Sequence, residues 1–179
     1  SKATPRAAVA KFAAGGKATG KKDLGMIAQG YGNVYVAQIA MGANMNQVVK
    51  AFAEAEAHQG TSLIIAFSPC IAHGIDMSTM MSHQKQAAER GYWPLDRDDP
   101  AAAAAGKPAL RLDSREPTIS FKEFAAGEGR FAMLARANPE HADELARQAQ
   151  ADIDNRWQLY EQMVTVHRTA VFEDLEEGE

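Results

Sequence analysis

The chain has 179 residues, 46% of them hydrophobic, enough for one domain or one domain with an appended arm. Its single cysteine excludes an intrachain disulfide framework and a self-contained zinc ribbon, and fits a reducing compartment. The net charge is −4, and the basic-aromatic interleaving of a nucleic-acid binder is missing.

No apolar run approaches the roughly 18 residues of a membrane span, and no signal-peptide core opens the chain. A soluble, cytoplasmic protein is therefore expected. Charge is uneven along its length. Up to Lys22 the charged residues are Lys2, Arg6, Lys11, Lys17, Lys21 and Lys22, without an acid, whereas acids dominate from Asn138 to the terminal "EDLEEGE". The bland account is a solvated basic start and a frayed acidic tail; the sharper one is a basic region beside a phosphate cofactor or an acidic partner. The chain opens on Ser1 rather than Met, as expected of a processed product or a piece of something longer.

In chain order, "ATPRAAVAKFAAGG" predicts a helix with Thr4 as N-cap, Pro5 at its first position and Gly15-Gly16 as its stop. "KKDLGMIAQGYG" predicts a short second helix, and "NVYVAQIA" a strand rich in β-branched and aromatic residues. A turn follows, in which Asn44 and Gln47 have capping-box spacing. "VVKAFAEAEAHQG" continues it as a helix. "TSLIIAF" is a short continuous apolar run, the pattern of a strand buried on both faces. Strand, helix and strand in this order predict a βαβ unit, so the fold class is α/β with a parallel sheet. "SPCIAHGID" is the loop leaving the second strand, and "MSTMMSHQKQAAERG" the next helix. "YWPLDRDDP" and "KPALRLDS" suggest a loose hairpin around "AAAAAG"; "SFKEFAAGEGRFAMLAR" gives two short helices. A long amphipathic helical arm then starts at Asn138 and Pro139, with Leu145, Ile153, Leu159 and Met163 as its apolar positions. The expected division is 1–91, an α/β unit; 92–137, an irregular segment; and 138–179, the long helix and acidic tail.

Cys70 is the residue with the most chemical interest. A lone cysteine usually packs as a small hydrophobe. Its place just past the carboxyl end of a predicted strand is where open α/β sheets bind ligands. His73 stands at Cys-x-x-His spacing and offers a base for a nucleophilic thiol, or a zinc ligand, although spacing alone does not aim the ring at the sulfur. His58, His83, His141 and His167 fall in polar helical contexts and are expected at the surface. Turn chemistry accounts for Asn33, Gly42 and Asn44. Glu54 and Glu56 point to different helix faces and make a poor acid-base pair. Met77, Met80 and Met81 are expected in packing. From the residues alone, a packed thiol, a nucleophile and a metal ligand all remain open for Cys70.

Four stretches in order, "SKATPRAAVAKFAAGGKATGKKDL", "GNVYVAQIAMGAN", "EAEAHQGTSLIIAFSPCIAHGI" and "GYWPLDRDDP", resemble the C-terminal end of the pyruvate:ferredoxin (flavodoxin) oxidoreductases, from Ser1 to about Met163. The resemblance implies part of a thiamine-diphosphate-binding fold. It implies an enzyme that oxidatively decarboxylates pyruvate with coenzyme A to acetyl-CoA and carbon dioxide. Its cofactors are thiamine diphosphate, Mg2+ and 4Fe–4S clusters, its electron acceptor is ferredoxin or flavodoxin, and its assembly is a homodimer. The family's GDG and NTGGQ motifs, which hold the thiamine cofactor and Mg2+, lie upstream of "SKATP" and have no counterpart here, so Ser1 to Thr4 stand behind that site at most. Cys70 occupies the position of the fourth ligand of the cluster nearest the thiamine, with the other three cysteines upstream. The chain by itself is then expected to be inactive, needing the remainder of the enzyme as its partner. Two alternatives stand beside this reading: a structural module or split subunit without its own catalysis, and a cysteine hydrolase using Cys70 and His73.

Overall fold

A computed structural model describes residues 3–168. The terminal "EDLEEGE" and the first two residues of the basic start lie outside the described residues. The expected α/β class is borne out: a four-stranded mixed sheet in the order β2-β1-β3-β4, with helices around it. Strands β1 (Tyr35–Ile39) and β2 (Ser62–Ala66) are parallel and joined through helix α2 (Met45–Ala57), as the strand–helix–strand pattern predicts. Strand β3 (Asp96–Asp98) runs antiparallel to β1, and β4 (Leu110–Leu112) antiparallel to β3. Between them helix α4 (Pro100–Ala104) forms from the alanine run at the tip of the expected hairpin.

Helix α1 (Leu24–Gln29) starts where Asp23 accepts a hydrogen bond from the Met26 N–H. The other Asp23 oxygen accepts from the Tyr160 hydroxyl at 2.8 Å, tying α1 to the long helix. Asn44 caps α2 by accepting from the Gln47 N–H at 3.1 Å. The Gln47 side chain does not return to Asn44, so only half of the capping box forms. It donates instead to the Gln38 carbonyl at 3.1 Å, because it is buried against the sheet and finds its acceptor there.

Helices α3 (Met80–Glu89), α5 (Phe121–Ala126), α6 (Gly129–Ala137) and α7 (Pro139–Met163) form where expected. Helix α7 packs on α5 and α6 of the same chain. Its buried stripe is Leu145, Ala149, Ile153, Trp157 and Tyr160, whereas Leu159 is exposed and Met163 lies at the margin. The main core joins Leu145, Ala149 and Ile153 of that stripe to Tyr92, Trp93, Phe121, Phe124 and Phe131. A smaller one lies under α2, from Tyr35, Ala37, Ile39, Val48 and Ala51.

Met80 and Met81, expected in packing, are exposed, and three further expectations fail for physical reasons. The segment 3–16 is not helical but folds back on itself, with the Ala7 N–H on the Lys17 carbonyl and the Lys17 N–H on the Ala8 carbonyl. The Val9 N–H is taken by the Arg130 carbonyl at 2.8 Å. A short isolated helix is only marginal, and these tertiary partners outcompete it. Second, β2 is an edge strand with exposed ends and a half-buried middle, not one buried on both faces. Third, His83 is buried rather than exposed, because it sits on the inner face of α3 beside Phe124.

Strand β3 is unusual in burying all three of its charged residues. Arg97 faces α2, where it pairs bidentately with Asp113 at 2.7 and 2.9 Å and also with Glu54. Glu54 accepts from the Tyr35 hydroxyl at 2.9 Å as well. Asp96 and Asp98 alternate to the other face. Burial, followed by repulsion from Asp23, Asp98 and Asp113, holds the Asp96 carboxyl well above its ordinary range. Burial pushes Asp98 up to about 6 against the attraction of Arg168. The folded state therefore retains a proton on Asp98 that the unfolded state has lost. Stability should fall as pH rises from about 4 to about 6, by on the order of 3 kcal/mol. Asp98→Asn is expected to remove Asp98's share of that slope, leaving the share of Asp96, and to stabilise the chain at neutral pH. Urea unfolding at a series of pH values reads both, and an unchanged slope would contradict the assignment.

Candidate functional site

The loop that leaves β2 is fixed at both ends. At its start the Phe67 N–H extends the ladder to the Ile39 carbonyl at 2.9 Å, and the Phe67 ring packs against Trp93, Tyr92 and His83. Trp93 Nε1 donates to the same Ile39 carbonyl at 3.0 Å. At its end Gly74 has φ +71°, and a Cβ there would lie 2.7 Å from the Gly129 Cα. Only glycine meets both demands, the left-handed backbone and the close approach to the start of α6. The neighbouring loop after β1 is held similarly. A Cβ on Gly42 would lie 2.1 Å from the Met81 carbonyl oxygen, and the Gly42 N–H donates to Gln84 Oε1 at 2.9 Å. Turn chemistry accounts for only part of the need for Gly42; close contact with α3 is an added reason for it.

Cys70 sits in this loop with extended backbone, half-buried, as a free thiol. Its Sγ accepts from the Ala72 N–H at 3.4 Å and caps a single turn, Ile71–His73. No hydrogen bond links the His73 ring to the sulfur among the described residues; the contact between them is the His73 N–H on the Cys70 carbonyl at 2.9 Å. The arrangement lacks the thiol–imidazole pairing that a cysteine nucleophile needs.

The His73 ring lines a cavity of about 470 Å³ at the carboxyl end of the parallel strands, shared with Thr4, Lys21, Lys22, Phe67 and Arg130. Its charged lining is basic, which suits an anionic group. Lys21 lies 4.3 Å over the Trp93 ring. Burial, then repulsion from Arg156, pushes its ammonium down to about 8, with Arg130 adding to the effect and Asp23 opposing it. Burial also lowers His73. Arg130 is held by buried Glu128, which accepts from it and is also 2.7 Å from His83 Nε2. Nothing in linear spacing brings Lys21, His73 and Arg130 together; three separate segments do so only in the fold.

One half-buried thiol whose sulfur already receives a backbone N–H suits a ligand of an iron–sulfur cluster, which binds cysteine as its thiolate. Among the described residues no group of three or more His, Cys, Asp or Glu is placed to hold a metal. The other ligands of a cluster, and the oxygen ligands of Mg2+, would come from other polypeptide.

No family model matches the chain. Pyruvate-flavodoxin oxidoreductase of Trichormus variabilis is 56% identical over 161 residues, covering 90% of this chain and 14% of the relative. That of Klebsiella pneumoniae is 50% identical over 165 residues, covering 91% of this chain and 14% of the relative. Pyruvate:ferredoxin oxidoreductase of Moorella thermoacetica is 50% identical over 163 residues, again covering 91% and 14%. The chain is homologous to one segment of these oxidoreductases. It spans about one seventh of the length of the curated relatives it matches.

The basic cavity yields a test within this chain. Lys21 should titrate near pH 8, with its cationic form present below that value and lost above it. An anion in the cavity would then bind more weakly as pH rises through 8. NMR of isotope-labelled lysine ammonium groups reads the titration directly, and an ordinary midpoint above 10 would contradict the burial of this side chain.

Proposed function

We propose that this chain is a segment of an enzyme that oxidatively decarboxylates pyruvate with coenzyme A, giving acetyl-CoA and carbon dioxide and passing the electrons to flavodoxin or ferredoxin. The observation that carries this reading is identity at about half of all positions, over nine tenths of the chain, to relatives named for pyruvate and those carriers. Thiamine diphosphate with Mg2+ would supply the electron sink for decarboxylation, and 4Fe–4S clusters the path outward.

The segment's own residues do three things in this reading. Cys70 supplies one thiolate to a cluster, with the other ligands contributed by the rest of the enzyme. Phe67, Tyr92 and Trp93 form an apolar wall behind the loop that carries it. Such a wall limits water access, which tunes a cluster's potential. Lys21 and Arg130 set a positive field on the cavity beside it. A chain with one thiol does not hold a four-iron cluster, so catalysis belongs to the complete enzyme.

In that enzyme Cys70→Ala is expected to reduce bound iron by one cluster and to slow pyruvate-dependent flavodoxin reduction by about 10–100-fold or more. Metal analysis and electron paramagnetic resonance of the reduced protein measure the first, and carrier reduction the second. Full cluster content with normal carrier reduction would overturn the ligand role.

A further inference from the structure

The first turn of helix α6 packs against the loop that carries Cys70. The Gly129 N–H donates to the Gly74 carbonyl at 3.2 Å, and the Gly74 N–H donates to the Ile71 carbonyl at 2.9 Å. The single turn capped by Cys70 Sγ therefore ends directly on α6. No side chain fits between them, because a Cβ on Gly74 would meet the Gly129 Cα. Arg130 is the next residue of α6. Its carbonyl accepts from the Val9 N–H at 2.8 Å, which fixes the backbone from the N-terminal segment as well. Contacts on both sides thus hold one arginine beside the Cys70 turn.

Its guanidinium is clamped rather than free in solvent. Arg130 Nε donates to Glu128 Oε2, and Glu128 is fully buried with its other oxygen 2.7 Å from His83 Nε2. Arg130 Nη2 reaches the Tyr92 hydroxyl at 3.3 Å, and the guanidinium carbon lies 5.1 Å from the Phe131 ring centroid. Among the described residues Nη1 has no protein partner. Arg130 lines the cavity with Lys21 and with Ser68 and His73, which flank Cys70 in the loop; Glu128 does not line it. Gathering like charges there is unfavourable. Burial first, and Arg130 after it, lowers the proton affinity of His73, and Lys21 is lowered by burial, Arg156 and Arg130. Replacing a buried ion pair by apolar side chains of similar volume is often neutral or stabilising, so packing alone does not account for a cation clamped in this position.

We infer that Arg130 compensates the charge of the iron–sulfur cluster to which Cys70 contributes, and so raises the reduction potential of that cluster. A 4Fe–4S cluster held by thiolates is an anion and gains a further negative charge on reduction. A fixed cation beside it stabilises the reduced form more than the oxidised one. Glu128 holds the guanidinium from within the protein, whereas the guanidinium itself borders the cavity. Lys21 acts in the same sense from its place over the Trp93 ring. The inference deepens the proposed function and rests on Cys70 being a cluster ligand. It gives this segment a share in setting how readily the cluster accepts an electron, beyond supplying one bond to it.

Redox titration of the full-length enzyme, followed by electron paramagnetic resonance of its reduced clusters, tests the role. Arg130→Gln is expected to keep the iron content and to lower the reduced-to-oxidised ratio of one cluster about tenfold at a fixed potential, a shift of about 59 mV for one electron. Arg130→Lys keeps the charge and should stay within about threefold of the unaltered enzyme. Unchanged cluster potentials in Arg130→Gln would overturn the inference. So would a shift in Arg130→Lys as large as that in Arg130→Gln, because lost packing and not lost charge would then be its cause. If Arg130→Gln does not retain its clusters, Lys21→Gln decides: it should shift the same cluster in the same direction, and unchanged potentials there would overturn the charge role. Iron analysis of Cys70→Ala separates this inference from the reading beneath it. A cluster lost in Cys70→Ala, with potentials unmoved by the charge variants, sinks the charge role alone. A full set of clusters in Cys70→Ala sinks the ligand assignment itself.

Discussion

The neutralisation of Arg97 in the middle of the sheet organises the fold around it. A guanidinium removed from water requires anionic partners with good geometry, and they come from two other parts of the chain: Asp113 just after β4, and Glu54 on α2. The first pins the hairpin that carries β3 and β4, and the second sets the rotation of α2 over the sheet. Once Glu54 is turned toward β3, the apolar residues Met45, Val49 and Phe52 must face the other way, toward the free edge of β2. One buried cation thus ties both the hairpin and the orientation of α2 to the middle of the sheet.

The opposite face of β3 sets a different constraint. Asp96 and Asp98 are buried where α1, α7 and the sheet meet, and neither Asp96 oxygen has a hydrogen-bond partner among the described residues. Burying carboxylates without partners costs free energy, and protonation relieves part of that cost. Asp23 joins the same region as helix cap and as acceptor for Tyr160. This acidic layer lies behind the sheet, and the basic cavity lies at its carboxyl edge, so the segment separates its charges although its net charge is small. The aromatic group of Phe67, Tyr92 and Trp93 stands at that edge and holds the loop of Cys70 against the sheet.

Much of the secondary structure was legible because it rests on local signals. The caps at Asn44 and Asn138 and Pro139 at the start of α7 mark helix ends that the chain obeys. The strand–helix–strand order also gave the parallel pair. Local signals misled where long-range partners intervened. The 3–16 segment reads as a helix, yet its backbone donors are taken by Lys17, Ala13 and Arg130. His83 reads as a surface residue in a polar helix, yet Glu128 and Phe124 bury it from segments more than 40 residues away. On α7, Trp157 and Tyr160 take the core positions, and Leu159 stays in solvent, because side-chain direction and not hydropathy selects the buried face.

The sequence by itself determined the α/β class, the order of most elements and the kinship with a segment of the pyruvate-flavodoxin oxidoreductases. Each follows from local pattern or residue identity along the chain. It also singled out Cys70 at the end of a strand. Only the tertiary structure decided that β2 is an edge, that β3 runs antiparallel beside β1, and that Lys21, His73 and Arg130 line one cavity. Those outcomes depend on which residues meet across the sheet and between distant loops. An apolar run such as "TSLIIAF" specifies that a strand wants to be covered; it does not specify whether the covering partner lies in the same stretch of chain.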